Sequence, residues 1–290
     1  SLALCALAKN LSNEKKIKIF YVLVDHGIRK NSSSEAKKVK ELLKKQKIKL
    51  NILTNKKKFH SNIQGKAREI RYELIYNFCK KNNIKHIITA HHSDDQIETF
   101  LIRLSRGSGV QGLSAMQFIS KIKGNIFLIR PLLDFKKSEF INLSKNFFGK
   151  VFNDPSNVNT KYLRTKIRHL KSTFEKNGIL HNQVIKSIKN LAETNITLNN
   201  YIKKIYLLNV KKYKRAYKIN LKNIFAETSE IQMKVLSQAI REFSKSYYPP
   251  RSKKIFNLLH DLKSNTKKDI TLSRCIFKKS GNYVMIQKDA

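Results

Sequence analysis

The first half of the chain alternates short apolar runs with stretches of helical periodicity, and this alternation restricts the fold more than any other feature. Ile17–Val24 is a nearly continuous apolar run, and His86–Ala90 is a shorter one. Such runs are typical of strands buried on both faces of a parallel sheet. Ile63–Lys81 and Asp94–Leu104 repeat apolar residues at helical spacing. The pattern predicts an α/β fold with a doubly wound parallel sheet.

The other predicted elements of this half complete the alternation. They are helices at Leu2–Leu11, Ser33–Gln46 and Lys136–Phe148 and strands at Ile48–Leu53 and Phe127–Leu133, the last one broken by Pro131. Doubly wound sheets bind ligands beyond the carboxyl ends of their strands. Asp25-His26-Gly27 and His91-His92 both follow predicted strands. We therefore expect these two segments to face one crevice.

The second half has a different pattern. A dense group of turn-forming residues at Asn153–Asn159 precedes two predicted helices, Tyr162–Glu175 and His181–Tyr206. Shorter strand and helix patterns follow. We predict a catalytic domain over residues 1–155, a helical linker over 156–215 and a small mixed α/β domain over 216–290.

The charge of the chain points to a polyanionic partner. The formal net charge is +40, and the excess is spread over both halves. Nucleic acid is the usual partner of such a surface. Lys, Ile and Asn are all abundant, so AT-rich coding drift is an alternative explanation. The 12 arginines are more informative, because only a guanidinium offers a flat bidentate fork for phosphate. Eight of them lie in short motifs: Arg68, Arg71, Arg103, Arg106, Arg130, Arg164, Arg168 and Arg251.

Cysteine spacing and hydropathy exclude several classes of protein. Cys5, Cys79 and Cys275 are far apart, which argues against a zinc ribbon, an iron–sulfur cluster or a disulfide framework. No apolar run approaches the roughly 18 to 20 residues of a membrane span. We expect inert thiols, a cytoplasmic protein and no membrane partner.

The segment from Thr89 to Thr99 has the highest density of chemically active side chains. His91, Asp95 and Glu98 are spaced by four and then three residues, so the two carboxylates share a helix face and His91 lies at the same end. Such a group can hold Mg²⁺, bind an amine or transfer a proton. The alternative is structural: Asp94 and Asp95 cap the helix and His91 is a hydrogen-bonded loop residue.

Two arginine pairs also lie at helical spacing. Arg68 and Arg71 share one face and form either a phosphate clamp or a solvated ion-pair face. Arg164 and Arg168 share another face just after a turn, a position that suits contact with an RNA backbone.

Seven motifs follow one another along the chain: VDHGIR (24–29), QGKAREIRY (64–72), TAHHSDDQIETFLIRLSRGSG (89–109), RPLLDFKKSEF (130–140), NDPSNVNTKYLRTKIR (153–168), YPPRSKKI (248–255) and TLSRCIFKKSGNYVMI (271–286). In their order and spacing the chain resembles, over nearly its whole length, the tRNA(Ile)-lysidine synthetases, a family of PP-loop ATP pyrophosphatases.

The resemblance implies a function and a set of site residues. It implies ligation of free L-lysine to C2 of the wobble cytidine of a tRNA(Ile) with a CAU anticodon, through an adenylated intermediate, with ATP and Mg²⁺. It assigns catalysis to His91, Asp95 and Glu98, with Asp95 also a candidate metal ligand. The implied ATP-binding residues are Ser1, Val24, Asp25, His26, Gly27, Arg68, Arg71, Thr89 and Ala90. The implied tRNA-binding residues are Arg106, Arg164, Arg168 and Arg251, and the small domain is also expected to bind tRNA.

The start of the chain departs from the family pattern. The resemblance implies a Ser-Gly-Gly-x-Asp-Ser loop that binds the pyrophosphate of ATP, and only its last serine is present, as Ser1. We therefore expect the 290-residue chain to lack activity by itself. A catalytically inactive tRNA-binding remnant, a PP-loop tRNA thiolase and a homodimeric assembly remain open alternatives.

Overall fold

The chain divides into two compact units, residues 1–192 and 193–290. The computed structural model describes residues 1–28, 31–55, 63–150, 163–246, 249–264 and 269–289. The predicted turn cluster Asn153–Asn159 and Tyr162 lie outside the described residues. The division falls inside a long helix within the predicted linker, and the three predicted domain boundaries stay predictions.

The first unit alternates helices and strands as the sequence predicts. In chain order its elements are α1 (Leu2–Lys15), β1 (Tyr21–Asp25), α2 (Ser32–Lys45), β2 (Leu50–Thr54), α3 (Ile63–Lys81), β3 (His86–Ile88), α4 (Ser93–Leu104), α5 (Val110–Leu113), β4 (Ile119–Lys123), β5 (Ile126–Ile129), α6 (Lys137–Phe148), α7 (Leu163–Lys176) and the start of α8 (His181–Asn209).

The strands of the first unit include two parallel pairs. β1 pairs in parallel with β2, and β3 pairs in parallel with β5. The predicted α/β class with parallel strands is confirmed. One core of this unit joins α1, α2, β2 and α6 through the buried residues Ala6, Leu43, Leu50 and Phe148. Since each amphipathic helix covers a strand that is apolar on both faces, the polar loops at the strand ends are left for the site.

Three strands differ from the prediction. β1 begins only at Tyr21, because Ile17 lies on the surface with 46% of its area exposed. β5 ends at Ile129, before the turn that Pro131 starts. β4 was not predicted; it pairs antiparallel with β5, and its residues alternate between exposed and half-buried. Such an edge strand lacks the continuous apolar run by which buried strands are recognised.

The second unit packs helices against one antiparallel sheet. The rest of α8 is followed by β6 (Val210–Lys212), β7 (Ala216–Asn220), α9 (Leu221–Phe225), α10 (Ser229–Ser244), α11 (Ser252–Lys263), β8 (Ile270–Leu272), β9 (Cys275–Ser280) and β10 (Tyr283–Lys288). The strand order is β6-β7-β10-β9-β8. Alternate sheet residues such as Ile219, Phe277 and Ile286 are fully buried against the helices. The small mixed domain therefore has its own core, and β6 falls in the stretch predicted as helical linker.

Among the described helices, none has the length and apolar character that crossing a membrane requires.

Candidate active site

The loop after β3 is fixed at both ends by backbone hydrogen bonds. The Thr89 N–H donates to the Ile129 carbonyl (3.0 Å), and the Ser93 N–H donates to the Phe135 carbonyl (2.9 Å). Gln96 fixes the next turn of α4, because its amide both donates to the carbonyl and accepts from the N–H of Met116, at 2.8 Å each. The side chains between Thr89 and α4 are thus held on a rigid support.

His91 is a neutral imidazole at physiological pH. Its Nδ1 lies 2.9 Å from the Thr89 hydroxyl, which leaves Nε2 as the nitrogen that can act on a substrate. Burial lowers the pKa of His91 to about 4. The Asp95 charge acts in the opposite direction, whereas Arg130, Arg164 and Arg68 lower this pKa further. A neutral ring in a cationic surrounding can accept a proton but does not carry one in the resting state.

Asp95 caps α4 and also faces the histidines. Its Oδ2 accepts a hydrogen bond from the His92 N–H (3.1 Å) and lies 3.4 Å from His92 Nε2. Its Oδ1 is 4.0 Å from the Arg168 guanidinium. The structural alternative raised by the sequence is thus present in the molecule, and a catalytic role for Asp95 is a separate proposal.

Glu98 is a buried carboxylate held by two arginines of α7. Only 5% of the residue is exposed. Arg164 Nε donates to Oε2 at 2.8 Å, and Arg168 donates to both carboxylate oxygens through Nε and a terminal nitrogen. The hydrogen bond to Glu98 raises the pKa of Arg168. The two arginines expected at the RNA are therefore engaged with a catalytic candidate.

A second ion pair joins the same two helices. Lys171 Nζ lies 2.6 Å from Asp94 Oδ1, and the Lys137 N–H donates to Asp94 Oδ2 at 3.0 Å. Burial acts to raise the pKa of Asp94, but these two bonds outweigh it and lower the pKa to about 2. At its first residue, α8 places the buried His181 with Nε2 3.0 Å from the Ser93 hydroxyl.

These ion pairs line one wall of a cavity of about 230 Å³. Its apolar lining comes from α4, α7, α8 and the loop between α7 and α8. Its polar lining consists of His92, Asp94, Glu98, Lys137, Arg168, Lys171, Glu175 and His181. The apolar residues are Ile97, Leu101, Ile167, Phe174, Ile179 and Val184. Such a shape accommodates an aliphatic chain that ends in a charged group.

The end of β1 forms a second polar loop. Asp25 is 4% exposed and accepts hydrogen bonds from the Gly27 N–H (3.0 Å) and the Ser33 hydroxyl (2.6 Å). Burial acts to raise its pKa, but these bonds and one from Ser32 lower it overall. Gly27 has a φ of +64°, a conformation that favours glycine. Asp25 thus shapes this loop through its side chain, as Asx turns do.

Helix α3 connects the two loops. Arg71 donates to His26 Nε2 at 3.2 Å, and Arg68 lies close enough to His91 to lower its pKa. Both arginines are on the surface, as a clamp for an anion requires. Burial, and then Arg71, lower the pKa of His26, so this ring is also neutral. His26 therefore contacts α3, and His91 lies within electrostatic range of Arg68 on the same helix. That the two loops face one crevice stays a prediction.

The remaining predicted residues have defined positions. Val24 lies in β1, Thr89 and Ala90 follow β3, and Arg106 is exposed after α4. Ser1 immediately precedes α1. Arg251 immediately precedes α11 in the second unit. The structure brings His91, Asp95, Glu98, Arg164 and Arg168 together.

The candidate metal role of Asp95 stays a prediction. Over the described ranges, no three His, Cys, Asp or Glu side chains are arranged to hold a metal ion. Mg²⁺ is commonly held by one or two carboxylates together with substrate phosphates, and Asp95 is the candidate ligand of that kind.

Three residues of the site were not singled out by the sequence. Lys171 and His181 lie 77 and 88 residues from their partners, and no spacing rule connects residues so far apart. His92 was recognised only as a neighbour of His91.

The chain is similar in sequence to a known protein family and to several of its members. The model of the PP-loop domain family matches residues 1–171. The chain is 34% identical to the tRNA(Ile)-lysidine synthase of Wolbachia pipientis wMel, over 100% of the chain and 68% of that protein. It is 33% identical to the enzyme of the same name from Orientia tsutsugamushi, over 100% of the chain and 67% of that protein. The chain thus spans about two thirds of these relatives.

A solved structure supports the fold. The U34-tRNA thiolase NcsA from Methanococcus maripaludis, described with its [4Fe-4S] cluster, superimposes with a TM-score of 0.53 at 17% identity. The match covers 67% of this chain and 69% of that chain.

The unusual protonation state of His91 is directly measurable. We expect NMR titration of the histidine side chains to show His91 protonated only near pH 4, with the exposed His260 as the reference in the same spectra. Asp95→Asn should lower the His91 pKa further, because the Asp95 charge favours the imidazolium. Since an unfolded imidazole is protonated near pH 6.5, acidification from there to pH 4 favours the unfolded chain. A His91 pKa near 6.5 would contradict this description of the site.

Proposed function

Because the chain belongs to the tRNA(Ile)-lysidine synthase family and carries its PP-loop domain, we propose that it ligates lysine to C2 of the wobble cytidine in the CAU anticodon of tRNA(Ile). It is a PP-loop enzyme of tRNA modification, and ATP is its energy source. The proposal of lysine ligation is supported above all by one group of side chains: neutral His91, Asp95 and buried Glu98, with several arginines beside them.

The proposed reaction has two steps. The cytidine O2 first attacks the α-phosphate of ATP, which adenylates the base and releases pyrophosphate. The ε-amine of lysine then attacks C2, and the O2 oxygen leaves with AMP. The amine must lose its proton to act as a nucleophile. Neutral His91 can accept a hydrogen bond from the amine, and the carboxylates beside it are proposed to take the proton. We propose Arg68 and Arg71 as contacts for the ATP phosphates.

The loop after β1 suits the nucleotide. A glycine at a positive φ lets the backbone approach a ligand closely, and Gly27 has this conformation. His26 Nδ1 is buried and has no hydrogen-bond partner among the described residues. A ring nitrogen in this state is available to a ligand, because buried polar atoms are normally hydrogen-bonded. These features support an adenosine position beside Val24–Gly27.

The cavity beside Glu98 suits the lysine substrate. Lysine has a four-carbon stem and an ammonium, which match the apolar wall and the carboxylates Asp94 and Glu98. Glu98 is engaged by Arg164 and Arg168, so an ammonium has to replace at least one guanidinium. RNA phosphates attract the same arginines. We infer that RNA binding draws the arginines away and makes Glu98 available to lysine.

A thiolase is the less favoured reading of the same fold. Such an enzyme needs cysteines close together near its site, as an iron–sulfur cluster does. Cys5, Cys79 and Cys275 are all free, and Cys275 lies in the core of the second unit. Burial raises the pKa of each thiol, which disfavours the reactive thiolate.

Product analysis tests the proposed function. This chain, preceded by the phosphate loop that the family resemblance implies, should incorporate lysine at the wobble cytidine and release one AMP per lysine. Nuclease digestion and mass spectrometry of the tRNA identify the product, and a tRNA with a CAC anticodon is the control. Sulfur incorporation would favour the thiolase, and RNA binding without modification would favour the inactive remnant.

Asp95 can be tested without losing its capping bond. Asp95 accepts the His92 N–H from the third position of α4, and an asparagine oxygen can accept the same bond, so Asp95→Asn should preserve folding and tRNA affinity. If Asp95 acts on the reacting groups, turnover at saturating tRNA should fall by about 10²- to 10⁴-fold, the loss typical of an acid–base group. Asp134→Asn, which alters an exposed carboxylate paired with Lys189, is the control and should be neutral. Normal turnover of Asp95→Asn would leave this residue only its capping role.

A double-mutant cycle separates two roles of Arg164. If Arg164 binds RNA, Arg164→Ala should weaken tRNA binding and reduce the salt slope by about 0.7 to 0.9. The loss should be at least as large in the Glu98→Gln background, because the carboxylate no longer holds the guanidinium. If Arg164 only neutralises Glu98, the loss should disappear in that background. Arg241→Ala, at an exposed position on α10, controls for the change in net charge.

A further inference from the structure

His181 is a buried histidine with one unpaired ring nitrogen. The residue begins α8 and is 8% exposed. Its Nε2 lies 3.0 Å from the Ser93 hydroxyl, whereas its Nδ1 is buried and has no hydrogen-bond partner in the part of the chain that the structure describes. Because buried polar atoms are normally hydrogen-bonded, Nδ1 is the kind of group that a bound ligand satisfies.

The contact with Ser93 indicates which nitrogen of the His181 ring carries the proton. Ser93 is 1% exposed, and its hydroxyl makes no other hydrogen bond to a described residue. If this hydroxyl donates to Nε2, its own proton is satisfied and the ring proton lies on Nδ1. The opposite tautomer leaves both the hydroxyl proton and Nδ1 unsatisfied. Burial lowers the pKa of His181, so the ring is neutral and offers an N–H donor at Nδ1.

The cavity beside Glu98 is lined both by His181 and by an ammonium that has no carboxylate partner. This ammonium belongs to Lys137, the first residue of α6. The backbone N–H of Lys137 donates to Asp94, but no acidic side chain of a described residue pairs with its Nζ. An N–H donor and a free ammonium both favour an anionic ligand group, and a carboxylate accepts from both.

The same cavity also contains counterparts for positive groups. Asp94 and Glu98 are four residues apart on α4, so they lie on one face and about 6 Å apart along the helix axis. Glu175, which is exposed, is a third lining carboxylate. Lysine carries two ammonium groups and one carboxylate, and the polar lining therefore has a group of opposite charge for each of them.

We propose that His181 and Lys137 bind the α-carboxylate of the lysine substrate and thereby select a free amino acid over a diamine of the same length. His181 donates a hydrogen bond through Nδ1, and Lys137 supplies the opposite charge. A site that hydrogen-bonds a substrate group rejects an analogue without this group, because its own polar atoms are then left unpaired. The proposal rests on the proposed function in taking lysine as the ligand of the cavity.

Ligand analogues test this recognition on the unchanged chain. Cadaverine is lysine without the carboxylate, and ε-aminocaproate is lysine without the α-amine. Their affinities are measured by competition with radiolabelled L-lysine in equilibrium dialysis, with the chain bound to tRNA because the α7 arginines engage Glu98 in the free chain. Cadaverine should bind about 10- to 100-fold more weakly than lysine, as expected for the loss of a hydrogen bond to a charged group. Equal affinities of lysine and cadaverine would overturn the proposal.

Two variants assign the recognition to the two residues. A glutamine oxygen can accept from the Ser93 hydroxyl, so His181→Gln removes the Nδ1 donor but retains the contact at the start of α8. His181→Gln and Lys137→Gln should each weaken binding of lysine and ε-aminocaproate about 10-fold or more and leave cadaverine unchanged. Lys145→Gln, at an exposed position of the same helix α6, is the control. An equal loss toward all three ligands indicates a structural role alone and contradicts the proposal.

The outcomes distinguish this proposal from the proposed function. If the chain preceded by the phosphate loop binds lysine through its carboxylate but ligates none to RNA, the proposed function fails and the role of His181 stands. If it ligates lysine and also uses cadaverine with the same KM, the role of His181 fails and the proposed function stands. Absence of lysine binding by the tRNA-bound chain overturns both.

Discussion

The buried charge of Glu98 is the interaction on which the organisation of the site depends. A carboxylate with 5% exposure is strongly destabilising unless cations and hydrogen bonds compensate for its lost hydration. Arg164 and Arg168 supply both, and they belong to a helix distant in sequence. The need to neutralise Glu98 therefore fixes α7 against α4 and, with the Asp94–Lys171 pair, forms the cavity wall.

The same arrangement sets the chemistry of the neighbouring groups. Burial, together with the charges of Arg130, Arg164 and Arg68, keeps the imidazole of His91 neutral, and Arg164 is also one of the two arginines that neutralise Glu98. A neutral imidazole and a buried carboxylate thus occur in one segment of the chain, and sites with acid–base roles combine groups in this way. Under the proposed function, Glu98 and the RNA phosphates compete for the guanidinium groups of Arg164 and Arg168.

Local patterns in the sequence were sufficient to predict most of the fold. The apolar runs at β1 and β3 and the helical spacing in α3 and α4 are properties of neighbouring residues, and each of these elements was found. The spacing of His91, Asp95 and Glu98 also placed them together at one end of α4. β4 was missed because an edge strand alternates in polarity, and the start of β1 was misplaced because Ile17 is apolar yet exposed.

The sequence by itself determined the α/β class, the family and the candidate catalytic residues, because each of them is recognised from short contiguous segments. Only the tertiary structure decided what those residues contact. Asp95 caps its own helix, Arg164 and Arg168 hold Glu98, and His181 reaches Ser93. Which residues pair across 60 to 90 positions depends on how the helices pack and on the cost of burying an unpaired charge. Neither factor produces a periodic pattern in the sequence, so such pairs could not be predicted from it.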